Sequence, residues 1–428
     1  MKRRDFLKMT AATSLFASFP TLLKANNDYQ GMLVVTVFAR GGWDPTSFCD
    51  PKMNVAGERV INNWATTNSI QTVGNINYAP FADNDAFFRA HYQKMLVING
   101  IDVKSNGHST GTLNNMTGIM KDGYPSLAAL FAASNKSQQL MPWLAGNSRP
   151  NSGKLLTPST MASRSELDRL KRLALTNRFR TGRTDVYLQD EELALIRQFR
   201  QTQGAARMND QQQMPKQRRQ YQNFLASTYS DGSFENFINL LETADTKGLN
   251  PNNRFFGQAA STMAAFAAGI SLTADISVSG FDTHSNHDTR HATAMTNLTS
   301  TVDLLWYMAA QYNIADRLIV VIGSDFGRTN RYNNGNGKDH WSITSSIIMA
   351  NNPPWGNRVV GSTDGAHFAS NINFNNLQQD NAGGTTIEPK HVMASMRSYL
   401  NIDSQPASLK FDLSAPSVPD FFNPALMT

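Results

Sequence analysis

The sequence contains almost no cysteine, and its charged residues are few. Cys49 is the one cysteine in 428 residues, which excludes a disulfide scaffold and any zinc or iron–sulfur site built on several thiolates. A metal site in this chain would therefore have to use oxygen and imidazole ligands. Charged residues make up 17% of the chain and aromatic residues 10%, which favours collapse and excludes a mainly disordered protein. The 40% hydrophobic share excludes a polytopic membrane protein, and the length suffices for one large α/β domain or two ordinary ones.

Positive charge is concentrated in two segments. The net charge is +6, and residues 1–25 carry five Lys and Arg against one Asp. Residues 163–220 carry thirteen Lys and Arg against seven Asp and Glu, while the rest of the chain is acidic overall. This distribution does not indicate a nucleic-acid partner. The second segment lies within a Gln- and Arg-rich stretch, about 160–230, that has helical spacing. It predicts a helical insertion, either a cationic lid over the sheet or an ordinary solvated helical face.

The first 25 residues have the pattern of a twin-arginine export signal. Arg3-Arg4-Asp5-Phe6-Leu7-Lys8 matches the consensus, an apolar stretch follows over 9–23, and residues 23–25 form an acceptable cleavage site. The apolar stretch is too short for an ordinary transmembrane helix. The pattern predicts a periplasmic or secreted protein without a stable membrane anchor after signal cleavage. Residues 26–428 would then form the mature domain. This domain would fold before export and could already hold a cofactor when it crosses the membrane.

Short apolar runs that alternate with helical patterns predict the fold. Strands are expected at 32–39, 95–98, 274–278, 317–322 and 342–349, and helices at 253–271 and 288–312. The alternation favours a single α/β domain with a doubly wound, mostly parallel sheet and helices on both faces. The Pro- and Ser-rich segment 400–428 is expected to be a tail packed on the surface.

Five short polar clusters lie at or near the ends of the predicted strands. Because the carboxyl ends of parallel strands meet at one edge of an α/β sheet, the clusters are expected to come together there. A carboxylate that closes a buried strand is costly without a cation or several donors, and a neutral imidazole beside it suits a divalent ion. The clusters are Gly41-Gly42-Trp43-Asp44, residues 106–110 (NGHST), Asp282-Thr283-His284, Ser324-Asp325-Phe326-Gly327-Arg328 and Gly337-Lys338-Asp339-His340-Trp341.

Ordinary structural interpretations compete with these assignments. Asp44 has the sequence position of a helix N-cap, and Ser109 or Thr110 would equally well begin a helix. His287 and His291, four residues apart, are expected on the solvated first turn of a helix. Arg328 is either a group that binds an anion or the structural partner of a neighbouring carboxylate.

The order of the motifs behind a twin-arginine leader resembles the exported domain-of-unknown-function family 1501. Its recurrent patterns are RGG-x-D, GWDTH, S-E/D-FGRT and a following DH, and the resemblance covers roughly residues 30–400. That family is similar in turn to the alkaline phosphatase/sulfatase superfamily, in which loops at the carboxyl ends of a parallel sheet hold the metals and the nucleophile. The resemblance implies the same fold, one or two divalent metals, and hydrolysis or transfer of phosphate or sulfate esters.

Carried over position by position, the resemblance also implies roles for single residues. His108 stands at or beside the nucleophile position, where active relatives have Ser, Thr or Cys. Ser109, Thr110 or His108 would attack the ester or position a water, or His108 would instead be a metal ligand. Arg328 would neutralise the substrate's oxygens. Phe326 stands where many superfamily members have a second metal-binding His, and the sulfatase C-x-P-S-R motif is absent. The expected metal ligands are Asp44, Asp282, His284, Asp325 and His340, with Asp339 beside the last of them.

The sequence therefore predicts an exported, metal-dependent hydrolase of phosphate or sulfate esters. Asp and His ligands suit zinc or manganese better than calcium or magnesium. The expected partners are an anionic ester or polymer, and a further exported protein is a candidate partner. The alternative is a catalytically inactive protein that keeps the fold and acts as an exported binding or assembly component. Whether the chain is an enzyme stays open between these two hypotheses.

Overall fold

The computed structural model describes residues 29–135, 139–146, 151–161, 189–209, 214, 217 and 233–426. The expected leader, 1–25, and most of the expected insertion, 160–230, lie outside the described residues. Within the insertion, the structure describes one long helix, Asp190–Asn209.

Twelve strands and nine α-helices are found in the described ranges. The strands are β1 (Leu33–Arg40), β2 (Gln71–Val73), β3 (Ile76–Tyr78), β4 (Met95–Asp102), β5 (Trp143–Ala145), β6 (Ser159–Thr160), β7 (Thr273–Ser279), β8 (Leu318–Ser324), β9 (Gly327–Arg328), β10 (His340–Trp341), β11 (Ile343–Met349) and β12 (Arg358–Val360). The helices are α1 (Asn84–His91), α2 (His108–Thr117), α3 (Leu127–Ser134), α4 (Asp190–Asn209), α5 (Ser233–Glu242), α6 (Arg254–Ala267), α7 (His287–Gln311), α8 (Pro389–Tyr399) and α9 (Pro406–Leu409).

Eight of the strands form one mostly parallel sheet, in the order β12-β4-β11-β8-β1-β7-β5-β6. Strand β1 pairs in parallel with both β7 and β8, whereas β11 runs antiparallel to its neighbours β8 and β4. The prediction of a mostly parallel α/β sheet is confirmed, and each of the five expected strands is present. The short strands β5, β6 and β12 were not expected, because two or three residues carry no readable period.

Helices cover both faces of this sheet, as its nearly continuous apolar strands require. Alternate residues of β1 enter different hydrophobic clusters. Val35 packs in one cluster with residues of α6 and α7 such as Leu298. Val34 packs in the other cluster with Leu130 of α3 and Met396 of α8. Among the described residues, no helix has both the length and the apolar character needed to cross a membrane.

The segment 400–428, expected to be a tail packed on the surface, also contributes apolar side chains to the core. Phe421 is fully buried, and Phe422 and Leu413 are nearly so, all three within the cluster on the α8 face. The apolar residues of this segment are spaced irregularly, so neither a helical nor a strand period revealed their burial.

The strand order brings the predicted site residues to one edge of the sheet. Asp282 follows the carboxyl end of β7 and Asp325 follows that of β8, and β1, between them, leads to Asp44. Strand β4, which runs in the same direction, leads to the loop before His108. The edge at which loops from four parallel strands meet is where open α/β sheets bind ligands.

Candidate metal centre

Three histidines and one aspartate, on three separate loops, meet at this edge. Ligand atoms of His108, Asp282 and His340 all lie within 4.8 Å of one another. His284 adjoins them, because its Nε2 is 2.9 Å from Nε2 of His340 and 3.0 Å from Oδ1 of Asp282. Asp282 Oδ1 is 3.3 Å from His340 Nε2, and its Oδ2 is 3.5 Å from His108 Nε2. The Nε2 atoms of the three imidazoles therefore all lie around one carboxylate.

Each of these imidazoles is held by its other nitrogen. His108 Nδ1 is 2.6 Å from Asp325 Oδ2, His284 Nδ1 is 2.8 Å from Asp339 Oδ1, and His340 Nδ1 is 2.7 Å from the Asn106 carbonyl. Because all three partners accept hydrogen bonds, Nδ1 carries the proton and donates it in each neutral ring. The Nε2 lone pairs then point to the common centre, as metal-binding histidines require.

The expected metal ligands thus separate into those at the centre and those behind it. Asp325, expected to be a direct ligand, accepts from His108 and from the Gly41 N–H at 3.2 and 3.3 Å. Its hydrogen bond raises the pKa of His108, although partial burial acts in the opposite direction. Asp339, also expected as a ligand, stands behind His284, whose hydrogen bond lowers the pKa of this carboxyl. His108, for which the sequence leaves open a nucleophilic role or a ligand role, lies among the candidate ligand atoms.

Arg328 is buried beneath the centre and uses its donors on the protein itself. It donates to the carbonyls of Gly42 at 2.9 Å and Lys338 at 2.8 Å, to the Gly41 carbonyl, and to Asp282 Oδ1 at 2.7 Å. Its side chain has no exposed surface, so the expected contact with a substrate anion does not fit this geometry. Partial burial acts to raise the pKa of Asp282, but the hydrogen bond and charge of Arg328 outweigh it and lower that pKa to about 2.

Two glycines allow the ligand loops to approach so closely. Gly41 has a φ of +117°, which disfavours other residues, and an added Cβ would overlap the backbone of Asp282. At Gly337 a Cβ would overlap the carbonyl of His284. The glycine-rich motifs in the sequence thus reflect the close approach of backbones behind the site rather than contact with a ligand.

Asp44, another expected ligand, lies in a separate buried cluster. It caps the 3-10 helix Pro45–Ser47, accepting from Thr46 N at 3.0 Å, which confirms the N-cap interpretation. The ammonium of Lys338 lies 2.6 Å from Asp44 Oδ2, and Nε2 of His287 lies 3.2 Å from the same oxygen. Burial acts to raise the pKa of Asp44, but the Lys338 charge and the His287 hydrogen bond hold it well below its usual range.

His287 and His291 are fully buried, so the expectation of a solvated helical turn is wrong. They lie on the face of α7 that packs against the site, with their rings stacked 4.5 Å apart. His291 Nε2 accepts from the Asp44 N–H at 3.2 Å. Burial lowers the pKa of both imidazoles and thereby keeps them neutral. Their i, i+4 spacing was the signal in the sequence that could have indicated a shared buried face.

The hydroxyls of the α2 segment have different surroundings. Thr110 is engaged with Ser105 and donates to the Gly107 carbonyl at 3.1 Å, so it belongs to the helix start. Ser109 is exposed, and its hydroxyl makes no hydrogen bond within the described part of the chain. Cys49 is buried, and burial raises the pKa of its thiol.

The family comparison agrees with the motif pattern. A family model described as "Protein of unknown function (DUF1501)" matches residues 32–399. No curated protein matches the chain in a sequence search. Solved structures that resemble it include the phosphonate monoester hydrolase of Agrobacterium radiobacter, at 11% identity and a TM-score of 0.35, over 86% of this chain and 74% of that one. An alkaline phosphatase superfamily protein from Vibrio parahaemolyticus has 11% identity and a TM-score of 0.36 over 99% and 81% of the two chains. The PsFucS1 sulfatase from Pseudoalteromonas sp. has 9% identity and a TM-score of 0.36 over 90% and 70%.

Proposed function

The chain belongs to the DUF1501 family of proteins of unknown function, and we propose that it is a hydrolase of phosphate or sulfate esters that works through one bound divalent metal. The observation that carries the proposal is the anchoring of three imidazoles through Nδ1, by Asp325, Asp339 and the Asn106 carbonyl. Without a cation, this arrangement would hold three lone pairs against one another and against a carboxylate. With a cation, the same arrangement becomes favourable.

The donor set fits a borderline transition metal. Three imidazole nitrogens and one carboxylate, with no thiolate, are typical of zinc, and manganese accepts the same ligands. Four ligands placed tetrahedrally around zinc are about 3.3 Å from one another. The separations of 2.9, 3.0, 3.3 and 3.5 Å between neighbouring Nε2 and carboxylate atoms are near that value, although His284 lies outside the group of donors, His108, Asp282 and His340, that are all within 4.8 Å of one another. His108, Asp282, His284 and His340 would hold the ion, which would still need to accept a water or an ester oxygen as a fifth ligand.

The chain supplies the other groups that ester hydrolysis needs. A bound divalent metal would act as a Lewis acid on an ester oxygen and lower the pKa of a coordinated water. The positive end of the α2 dipole, beside His108, would attract the substrate anion. Ser109, exposed on the first turn of α2 and next to His108 in the chain, would attack the ester or orient a water. The side chains of His108, Asp282 and His284 are 40–50% exposed, which gives a substrate access to the centre.

An assay with metal-depleted and reconstituted protein tests this function. We expect p-nitrophenyl phosphate or p-nitrophenyl sulfate to be hydrolysed after addition of Zn²⁺ or Mn²⁺, and the activity to fall at least tenfold in His340→Gln because a ligand is lost. His391→Gln is the matched control, since this imidazole caps α8 by accepting from the Glu388 N–H. Metal binding without hydrolysis of either ester or of a diester would contradict the hydrolase. Absence of metal binding would contradict the site itself.

One observation favours a second candidate, an exported binding or assembly protein that retains the metal. Hydrolases of anionic esters usually place a cationic side chain against the substrate, and Arg328 is buried and committed to backbone carbonyls. Such a protein would bind an anionic polymer or a further exported protein through its metal. The ester assay separates the two candidates, because only the hydrolase shows turnover.

We also propose that the protein is exported through the twin-arginine pathway and acts outside the inner membrane. Support comes from the Arg3-Arg4 motif and the apolar stretch that follows it. Replacing both arginines by lysine keeps the charge and should leave the protein in the cytoplasmic fraction, whereas the wild-type protein is expected in the periplasmic or secreted fraction. Equal distribution of the two proteins on cell fractionation would refute this route.

A further inference from the structure

A buried lysine ammonium lies beside the metal centre, where the proposed hydrolase gives it no role. The Lys338 side chain has no exposed surface, although its ordinary place is in water. Its Nζ lies 2.6 Å from Asp44 Oδ2, 2.8 Å from Asn62 Oδ1 and 3.3 Å from Thr46 Oγ1. An ammonium has three N–H donors, and here it has three oxygen acceptors. The face of the Tyr332 ring, with its centroid 5.2 Å away, covers the fourth side.

The pocket around this ammonium has the composition of a cation site. Besides the three acceptors, the Ser47 hydroxyl lies 3.1 Å from Asp44 Oδ2, and Nε2 of His287 lies 3.2 Å from it. The pocket therefore holds a carboxylate, an amide oxygen, two hydroxyls and an imidazole, all of them buried. Oxygen and imidazole donors of this kind suit a divalent ion as well as they suit an ammonium.

The backbone of Lys338 connects the ligands of the exposed centre. Its N–H donates to the carbonyl of Thr283 at 3.1 Å, and Thr283 lies between the ligands Asp282 and His284. Its carbonyl accepts from Arg328 Nη1 at 2.8 Å. The next two residues are Asp339, which orients His284, and the ligand His340. Anchoring the ammonium in the pocket therefore fixes the turn from which two groups of the centre project.

We infer that Lys338 is a built-in second cation of this centre: its ammonium fills, in place of a second divalent ion, the buried site around Asp44 and so positions the loops that hold the one exchangeable metal. The inference rests on the proposed metal centre and specifies how many ions it takes. In this role Lys338 is a positioning residue, since it contacts neither the proposed ligand atoms nor the space between them.

Metal stoichiometry, measured by elemental analysis and native mass spectrometry after gel filtration in excess Zn²⁺ or Mn²⁺, tests the inference. Wild-type protein should saturate at one equivalent, because the pocket around Asp44 is already filled. Lys338→Ala removes the ammonium and leaves the oxygen and imidazole donors, so it should saturate at two equivalents. The second equivalent should disappear again in Asp44→Asn/Lys338→Ala. Lys338→Met keeps most of the volume without the charge and should stay at one equivalent.

If Lys338→Ala folds poorly, its Tm measured with and without metal tests the same inference. The unpaired Asp44 carboxylate should lower the Tm of this variant, and Zn²⁺ or Mn²⁺ should raise the Tm again. The same ions should raise the Tm of Lys338→Met by no more than they raise that of the wild type. Two equivalents bound by wild-type protein would overturn the inference, as would a Lys338→Ala variant that gains neither a second equivalent nor the additional rise in Tm.

These outcomes are distinguishable from failure of the proposed function. Loss of the wild-type equivalent in His340→Gln supports the exposed centre and says nothing of the buried pocket. If wild-type protein binds no metal at all, the proposed function fails. A single equivalent in Lys338→Ala that Asp44→Asn abolishes would even then support the buried cation site.

Discussion

Replacing Asp325 by Asn tests whether the carboxylate behind His108 prepares this imidazole to bind metal. Asp325 is almost fully buried and lies 2.6 Å from His108 Nδ1. Asn has the same shape, and its carbonyl oxygen can still accept from the Gly41 N–H, so the fold should persist. The amide, however, can present its NH₂ group to Nδ1. The imidazole would then carry its proton on Nε2, the nitrogen that faces the centre.

The expected loss follows from the strength of this contact. A short hydrogen bond to a buried carboxylate is charge-assisted, and loss of such a partner behind a metal-binding histidine costs about 10- to 100-fold in metal affinity. That corresponds to about 1.4–2.8 kcal/mol of binding free energy. The free energy of unfolding of the metal-free protein should change less, because the variant also removes the cost of burying a charge.

Competition titration with a chromophoric zinc chelator measures the Kd, and the absorption spectrum of the Co²⁺ form reports the ligand geometry. Asp303→Asn is the matched control, because Asp303 also pairs with a histidine, His91 at 3.3 Å, away from the centre. The control should bind zinc as the wild type does. An Asp325→Asn protein with a Kd within twofold of the wild-type value and an unchanged Co²⁺ spectrum would refute the orienting role of Asp325.

Three further predictions concern the surroundings of the centre and a buried carboxyl within the sheet. Gly337→Ala should weaken zinc binding at least tenfold and lower the Tm, because the added Cβ would overlap the carbonyl of His284. Gly335→Ala is the control: the atom nearest to its added Cβ is 3.5 Å away, so this variant should bind zinc as the wild type does in the same titration. Arg328→Lys should lower the free energy of unfolding by about 2–4 kcal/mol in urea denaturation, because a single ammonium cannot serve the three carbonyls and the carboxylate that the guanidinium contacts; a loss below 0.5 kcal/mol would contradict this. Burial raises the pKa of Asp275 to about 6, so folding favours its protonated form, and the associated stability is present below pH 4 and lost as the pH rises to 6. The free energy of unfolding of Asp275→Asn, relative to that of the wild type, should therefore rise by about 3 kcal/mol between pH 4 and pH 7. A difference between the two proteins that is the same at pH 4 and at pH 7 would refute the raised pKa of Asp275.

The fold could be predicted wherever apolar runs are long and continuous. The runs in β1 and β8 are buried on both sides, and this pattern predicts parallel strands in the middle of a sheet. The direction of β11 could not be predicted, because a buried run reads the same in a parallel and an antiparallel neighbour. Strand β12 has three residues and is defined by its pairing with β4, whose paired residues lie 262 positions earlier in the chain.

The types of residue in the candidate site could be predicted from the sequence. Which of them face the centre and which stand behind those could not. The Asp-Thr-His and Asp-His motifs correctly brought Asp282, His284 and His340 together. Sequence reasoning could not tell the proposed ligand Asp282 from the proposed orienting group Asp325, because both follow a buried strand. The hydrogen-bond acceptor of His340 Nδ1 is the Asn106 backbone carbonyl. Every residue has such a carbonyl, so the sequence does not indicate which one accepts.

The buried cluster behind the centre was missed for a related reason. The sequence indicates no role for Lys338 beyond its place in a motif, because a lysine in a glycine-rich loop is normally solvated. Its burial follows from Asp44, to which the chain returns after 294 residues. His287 gives the same lesson, because its partner Asp44 is 243 residues away.

X-ray absorption spectroscopy of the zinc-loaded protein tests the proposed metal centre, because it reports the atoms around the metal. We expect one zinc ion with a shell of five nitrogen and oxygen atoms at about 2.0–2.2 Å, four from the protein and one from water, and the outer-shell scattering of three imidazoles. In His340→Gln the imidazole contribution should fall by one third. A six-oxygen shell without imidazole scattering, or a wild-type protein that retains no zinc after gel filtration, would contradict a metal centre at His108, Asp282, His284 and His340.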